Sequence, residues 1–214
     1  MKMINDVFMI DIPEFDAGEE DIFGDPIEYI KEHPDDKRVL NVIKQNPCWS
    51  YMYANEVIKG KWPEGEEIIK QDPRLAFRYA HNMINGRWPE AEDTIKQDPK
   101  WAYYYAYNVI KGRWPEAEDT IKQNPEQAYD YARYVVKGRW PEGEEAIKQS
   151  PKRACLYAYN VIKGRWPVAE DTIKKDPLWA YQYAHNVIKG RWPEAEETIT
   201  QSPKWWRKYE RKFL

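Results

Sequence analysis

The chain has 214 residues with 33 basic and 36 acidic side chains, a formal net charge of −3, and 42% hydrophobic residues. This balance excludes a disordered chain and is too acidic for a general nucleic-acid binder. Two cysteines exclude a disulfide framework, and the lack of a membrane-length apolar run or a signal-peptide core predicts a cytoplasmic protein with no membrane association.

Residues 1–25 form an acidic segment with eight acids and one lysine, so residues 26–214 carry a formal charge of +4. The segment also contains an apolar run: Val7, Phe8, Met9, Ile10 and Ile12. Repeat proteins need a cap on each exposed end, so we expect this arm to cap the first repeat. A docking peptide for a partner or an acidic mimic of nucleic acid are the alternatives.

A 26-residue period follows the arm. Six copies span residues 47–202, residues 26–46 look like a degenerate first copy, and residues 203–214 look like a half copy that caps the other end. We number slots within the unit from its first proline, and repeats 1 to 6 from residue 47. The first prolines are Pro47, Pro73, Pro99, Pro125, Pro151, Pro177 and Pro203.

The sequence of each unit predicts a helical hairpin. Slot 26 always holds Asn, Asp or Ser, which are good N-caps, and the proline after it suits the first helical position. Slot 14 is always glycine, as in Gly86 and Gly112, and we expect it to adopt the left-handed conformation that ends a helix. A second proline opens a shorter helix. Hairpins this small must stack, so the sequence predicts an all-α solenoid of about seven units in a single elongated domain.

The first helix of the unit has a constant face and a varied face. On a helical wheel, slots 4, 5, 7, 8, 11 and 12 fall on one side and hold similar residues in most copies, such as the tyrosine of slot 7. We expect this side to pack between repeats. Slots 2, 3, 6 and 9, which we call the varied face, change from copy to copy and are expected to be exposed.

A varied surface on a constant scaffold is how repeat proteins build extended binding sites, and exposed rings favour binding over drift. We therefore predict that the varied face contacts a partner protein, since Trp, Tyr and Arg dominate such contacts. The predicted contact residues are Arg74, Arg78, His81, Trp101, Tyr104, Tyr107, Tyr159, Trp179 and His185.

The recurring segment GRWPEAE is interpreted as scaffold. Its Trp is expected to wedge between hairpins, and its Glu to pair with Arg or to cap an N–H group. The asparagine of slot 10, as in Asn82 and Asn160, is expected to bond to a neighbouring repeat or to a ligand. The basic half copy, with Lys204, Lys208 and Arg211, suggests an acidic partner or a homo-oligomer formed with the acidic arm of another copy.

No catalytic constellation stands out, so we expect no enzyme activity, no cofactor and no metal. The histidines are isolated, and no phosphate-binding glycine loop is found. The main alternative to protein binding is single-stranded nucleic acid or a nucleotide held on the rings and cations of the varied face. Glu126 and Asp130 interrupt that basic stripe in repeat 4.

Residues 79–99, YAHNMINGRWPEAEDTIKQDP, and their counterparts over about residues 34–214 resemble short helical repeats in proteins of large tailed bacteriophages. The hairpin is more loosely similar to tetratricopeptide and Sel1-like repeats, which bind proteins. The phage resemblance implies action in the cytoplasm of an infected bacterium. It implies an accessory protein that binds and inhibits or sequesters a host protein, such as an anti-phage defence component.

Overall fold

The computed structural model describes residues 24–214, which fold into helices joined by short turns, with no β-strand among them. Nearly all of the predicted acidic arm, residues 1–23, lies outside the described residues. A hairpin of two short helices, Pro26–Glu32 and Lys37–Ile43, precedes the repeats. Its core consists of Ile27, Ile30, Val39 and Ile43, which are 0–1% exposed.

Each repeat contains a long helix followed by a short one. The long helices begin as α-helix over Pro47–Met52, Pro73–Tyr79, Pro99–Tyr105, Pro125–Asp130, Pro151–Tyr157 and Pro177–Tyr183. They continue as π-helix over Tyr53–Ile58, Ala80–Ile84, Ala106–Ile110, Tyr131–Val136, Ala158–Ile162 and Ala184–Ile188. The short helices are Pro63–Ile69, Pro89–Ile95, Pro115–Ile121, Pro141–Ile147, Pro167–Ile173 and Pro193–Thr200, and a final helix spans Pro203–Phe213.

The predicted N-caps of the long helices are confirmed in all six repeats. The side chain of slot 26 accepts backbone N–H groups of the first turn, as Asp98 does from Lys100 and Trp101. The final helix differs, because Ser202 makes no side-chain cap. Local sequence thus sets where each long helix begins.

The predicted left-handed glycine is wrong, because the left-handed residue is the one before it. Slot 13 holds a lysine or asparagine with φ of 55–59° in all six repeats, whereas Gly24 is the positive-φ glycine among the described residues. In repeat 3, the N–H groups of Lys111 and Gly112 both donate to the carbonyl of Ala106, five and six residues earlier. This widened π turn moves the reversal one residue towards the N-terminus.

The hairpins stack side by side, which confirms an all-α solenoid. Each long helix contacts the long helix of the next repeat, and the short helices pack along the long ones. The first hairpin packs on the long helix of repeat 1, and the final helix packs on that of repeat 6. No helix of residues 24–214 is both long and apolar enough to cross a membrane.

The constant face lies inside the stack, as predicted. Slots 4, 5, 7 and 8 are at most 9% exposed in every repeat, and slots 11 and 12 are mostly half-buried. The short helices add the slot-16 tryptophans, 0–7% exposed, and the slot-23 isoleucines, such as Ile95 and Ile121, which are fully buried.

The varied face is less open than predicted. Trp49, Leu75 and Arg78 are only 5%, 3% and 8% exposed, so the expectation that slots 3 and 6 face solvent is wrong for them. Elsewhere these two slots are half-buried. A wheel drawn for one helix omits the flanking helices of a stack, which cover the sides of the outward face.

Candidate partner-binding surface

One hydrogen-bond network is repeated at every junction between successive repeats. In the junction of repeats 3 and 4, the Tyr131 hydroxyl accepts the Trp114 backbone N–H at 2.8 Å and donates to Glu118 Oε1 at 2.8 Å. Equivalent bonds of 2.6–3.0 Å join the slot-16 Trp, the slot-20 Glu and the next slot-7 Tyr at the other five junctions, the last one with Tyr209.

Arginine completes the network in repeats 2–6. Arg113 donates from Nε and Nη2 to the two oxygens of Glu118, both at 2.8 Å, and such two-point pairs are strong and directional. Arg113 holds the pKa of Glu118 below its ordinary value, and burial raises the pKa of Tyr157 in the corresponding place to about 12. The carboxylate is therefore ionised and the phenol protonated at neutral pH.

This junction behaves as scaffold, as the sequence interpretation held. The ring of each slot-7 tyrosine also lies 4.7–5.1 Å from the slot-16 tryptophan of its own repeat. In repeats 2–6 the repeated geometry occupies both oxygens of the carboxylate. Binding chemistry must therefore be sought on the parts of the surface that differ between repeats.

The structure brings four predicted contact residues together in repeats 2 and 3. Phe77 stacks on His81 at 5.8 Å, on Trp101 at 5.7 Å and on Tyr104 at 6.0 Å. Tyr103 links Tyr104 at 5.1 Å to Tyr107 at 6.1 Å. With Tyr134 of repeat 4 these rings form a continuous set that we call the aromatic platform: Phe77, His81, Trp101, Tyr103, Tyr104, Tyr107 and Tyr134.

The platform presents a rigid edge to solvent. Tyr107 and Tyr134 are 41% and 37% exposed, and their rings meet edge to face at 6.2 Å. Two cations border it, because the Lys100 ammonium lies 4.9 Å from the Trp101 ring and the Arg133 guanidinium 5.0 Å from that of Tyr134.

A surface cleft of about 410 Å³ adjoins the platform, at the C-terminal ends of the long helices of repeats 2 and 3. His81, Tyr107 and Lys111 line it together with Asn85 and Gly86 at the helix end. Its lining offers a ring, a cation and amide groups.

Ion pairs separate the platform from the later repeats. Arg153 of repeat 5 pairs with Glu126 and lies 3.8 Å from Asp130, both of repeat 4, and its guanidinium lies 5.3 Å from the Tyr129 ring. Burial raises the pKa of Asp130, although Arg153 opposes this effect. The predicted basic stripe is therefore interrupted here by a cluster of one arginine and two carboxylates.

Three predicted contact residues lie beyond this cluster and apart from the platform. Tyr159 is 52% exposed and lines a smaller cleft of about 200 Å³ with Lys163 and Asn186. Trp179 is half-buried. The Lys212 ammonium donates to His185 Nε2 at 2.8 Å, which leaves Nδ1 to donate to Asn186 Oδ1 at 2.9 Å, so His185 joins the final helix to repeat 6.

The remaining two predicted contact residues lie in repeat 2. Arg74 contacts the Cys48 sulfur of repeat 1 at 3.9 Å and lies 4.0 Å from its own N-cap, Asp72. Arg78 is 8% exposed, and its buried Nε has no hydrogen-bond partner among the described residues. The expectation that Arg78 is exposed is therefore wrong, whereas its role as a contact residue stays a prediction.

The asparagine of slot 10 bonds to the preceding repeat only where a hydroxyl is present. Asn82 donates to the Tyr51 hydroxyl at 3.0 Å, and Asn160 to that of Tyr129 at 2.9 Å. Asn108 faces Phe77, which has no hydroxyl, and donates instead to the Tyr104 carbonyl. Residue choice at slot 5 thus decides how slot 10 is used.

Sequence reasoning missed three members of the platform. Phe77 and Tyr103 occupy slot 5, which was assigned to packing, and Tyr134 occupies slot 10. Tyr134 carried a signal, since repeat 4 has a ring where four copies have asparagine. The slot-5 rings carried no signal in the sequence, because a buried ring that supports exposed rings has the same sequence pattern as any other core residue.

Residues 24–214 contain no group of three or more His, Cys, Asp or Glu side chains placed to hold a metal ion. No protein-family model, curated protein or solved structure matches this chain.

Proposed function

We propose that this chain is a non-catalytic helical-repeat scaffold that binds a partner protein through the aromatic platform of repeats 2–4. The carrying observation is the continuous stack of rings from Phe77 to Tyr134, held from beneath by the core and open at Tyr107 and Tyr134. Rigid tyrosines lose little entropy on binding, which makes such a surface well suited to protein contacts.

The character of the surface favours a protein over a nucleic acid. A strand held along the varied face would need a continuous row of cations, but Arg153 is paired with Glu126 and Asp130 in the middle of that row. On the platform itself, Lys100 and Arg133 are the cations that lie against its rings, and Lys111 lines the adjoining cleft. An apolar patch with an acidic rim on the partner matches this arrangement.

The narrower proposal is a phage-encoded accessory protein that inhibits or sequesters a host protein in the bacterial cytoplasm. It is supported by the sequence resemblance alone. It predicts that a captured bacterial protein loses its activity when mixed with this chain, whereas a passive structural protein would leave that activity unchanged.

Affinity capture from a bacterial lysate, using the full chain and the double variant Tyr107→Ala with Tyr134→Ala, tests the surface. Both rings are exposed, so the fold should persist, and we expect retention of the captured protein to fall at least about tenfold, or about 1.4 kcal/mol. The matched control is Val168→Ala, which removes an exposed apolar side chain, 69% exposed, on a short helix.

Equal retention by the double variant and the control would show that the platform is not the binding surface. Binding of a single-stranded oligonucleotide, with an affinity that falls steeply as salt rises, would favour the nucleic-acid alternative. Salt-independent or absent oligonucleotide binding would remove it.

A further inference from the structure

The charges of the varied face are segregated along the stack. In repeats 1–3 its twelve positions contain Arg74, Arg78, His81 and Lys100 and no carboxylate. The first acids on this face are Glu126 and Asp130 of repeat 4, and both face Arg153. The first half of the face is therefore cationic and apolar, with no acid of its own.

Arg78 is the most buried of these cationic residues. It is the one slot-6 residue of the six repeats that is buried, and its Nε has no hydrogen-bond partner among the described residues. No carboxylate of residues 24–214 forms an ion pair with it. A guanidinium is costly to bury without an opposing charge, so this site calls for a carboxylate from outside the described chain.

The varied face of repeats 1 and 2 also carries apolar side chains in the slots near Arg78. Leu75 is 3% exposed, and Cys48 and Met52 are half-buried and pack at the edge of the core. The corresponding slots of repeats 4 and 5 include Glu126, Gln127 and Lys152. An occupant of this surface would combine apolar side chains with carboxylates.

Residues 1–23 have this composition. They contain seven acids and one lysine, a formal charge of −6, together with the run Val7–Phe8–Met9–Ile10 and Ile12. They join the described chain at Gly24, directly before the helix Pro26–Glu32, which packs on the long helix of repeat 1. Twenty-three residues can reach roughly 75 Å when extended, and repeat 3 lies about 30 Å away at about 10 Å per layer.

We propose that residues 1–23 dock within the same molecule on the varied face of repeats 1–3, with a carboxylate on Arg78 and the apolar run over Cys48, Met52 and Leu75. This inference rests on the proposed function only because both involve the varied face, and its test needs no partner protein.

Cys48 is a built-in reporter of this contact, because slot 2 of repeat 1 lies inside the proposed site. Cys155 serves as the internal reference, since it is 3% exposed and burial raises the pKa of its thiol to about 12. The experiment measures the reaction rate of each thiol with an aromatic disulfide reagent in the full-length chain. The variants are Phe8→Asp with Ile10→Asp, and a segment whose seven acids are replaced by amides.

We expect Cys48 to react at least about tenfold faster in both segment variants, while Cys155 stays slow and the helical circular dichroism signal is unchanged. The matched control, Val168→Asp, places a charge at an exposed apolar position and should leave the Cys48 rate as in the parent chain. Arg78→Met should also raise the Cys48 rate, because it removes the proposed anchor of the segment.

Equal Cys48 rates in the parent chain and in the segment variants would overturn the proposal. Protection of Cys48 that disappears on dilution would also overturn it, because the segment would then dock on a second copy. Loss of partner capture by the platform variant bears on the proposed function alone, so the two ideas fail separately.

Discussion

At the scale of single residues, one tyrosine hydroxyl joins each repeat to the repeat before it. The Tyr131 hydroxyl accepts a hydrogen bond from the backbone N–H of Trp114, a group that the short helix leaves unpaired at its N-terminus. The same hydroxyl donates a hydrogen bond to Glu118. The same atom thus satisfies a buried donor and a half-buried acceptor. Its removal leaves the Trp114 N–H without a partner, whereas Glu118 keeps its two hydrogen bonds from Arg113.

We expect Tyr131→Phe to lower the free energy of unfolding by about 1–3 kcal/mol, because a buried N–H loses its hydrogen bond and the half-buried carboxylate of Glu118 loses one of the three that it accepts. Chemical denaturation monitored by circular dichroism measures the change. Tyr53→Phe is the matched control, since the Tyr53 hydroxyl has no hydrogen-bond partner in the described part of the chain.

The control is available because the first hairpin lacks the junction residues. Asp36 and Leu40 stand there in place of the slot-16 Trp and slot-20 Glu. We expect Tyr53→Phe to change the stability by less than about 0.5 kcal/mol. Similar losses for the two variants would mean that the hydroxyl bonds contribute little beyond the rings.

At the scale of the helix, the unexpected feature is the π turn that ends every long helix. Slot 13 adopts a left-handed conformation although it carries a lysine in five repeats and asparagine in repeat 2. For a residue with a Cβ this conformation costs roughly 1–2 kcal/mol. The hydrogen bonds from slots 13 and 14 to the slot-8 carbonyl hold it in place.

We expect Lys111→Gly to raise the free energy of unfolding by about 0.5–1 kcal/mol, because glycine relieves the left-handed strain. Part of the relieved strain energy is offset, because glycine also has more conformational entropy in the unfolded chain. Thermal and chemical denaturation both measure it. Asn85→Gly at the same slot should give a smaller gain, because asparagine tolerates this conformation better. A loss of stability in Lys111→Gly would contradict the strain argument.

How far the sequence could predict these helices depends on the kind of signal. The N-caps, the prolines and the 26-residue period predicted where each helix begins, and the wheel placed Tyr105 and Ala106 inside. The π turn was missed, because five residues of π-helix and of α-helix carry nearly the same hydrophobic spacing. Glycine was assigned the left-handed role because it is the usual residue there, whereas here Lys111 takes it.

The candidate site was predicted only in part for a related reason. Tyr107 and Tyr159 are exposed as the wheel implies, but Arg78 is buried, unlike the slot-6 residues of the other five repeats. The platform arises because Phe77 of repeat 2 meets Trp101 and Tyr104 of repeat 3. Such contacts depend on the offset between repeats, which the period does not give.

At the scale of the whole molecule, each hairpin depends on its two neighbours, and the final helix has only one. Tyr209 joins Pro203–Phe213 to Trp192 and Glu196 by bonds of 2.6 and 3.0 Å. In a linear stack, the loss of a junction at the end should open the terminal helix without opening the centre.

We therefore expect Tyr209→Phe to speed amide hydrogen exchange in residues 203–213 by about tenfold, equivalent to about 1.4 kcal/mol of local opening, and to leave residues 125–136 unchanged. Mass spectrometry of exchanged peptides resolves the two regions. Tyr131→Phe provides the comparison, because it should speed exchange in residues 125–136. Uniformly faster exchange in the Tyr209 variant would show that the stack opens as one unit.

The hydroxyl bridge also determines how such a chain can change its length. Its tryptophan and glutamate lie at the back of one unit and its tyrosine at the front of the next, so any unit of this kind can follow any other. Duplication or deletion of a whole 26-residue unit would regenerate every bridge. The side-chain contacts between the long helices are specific to particular pairs of units. Asn82 bonds to the hydroxyl of Tyr51, and Trp101 stacks on the ring of Phe77, each in the preceding unit. Shuffling units would therefore keep the rod intact while rewriting the surface that it displays.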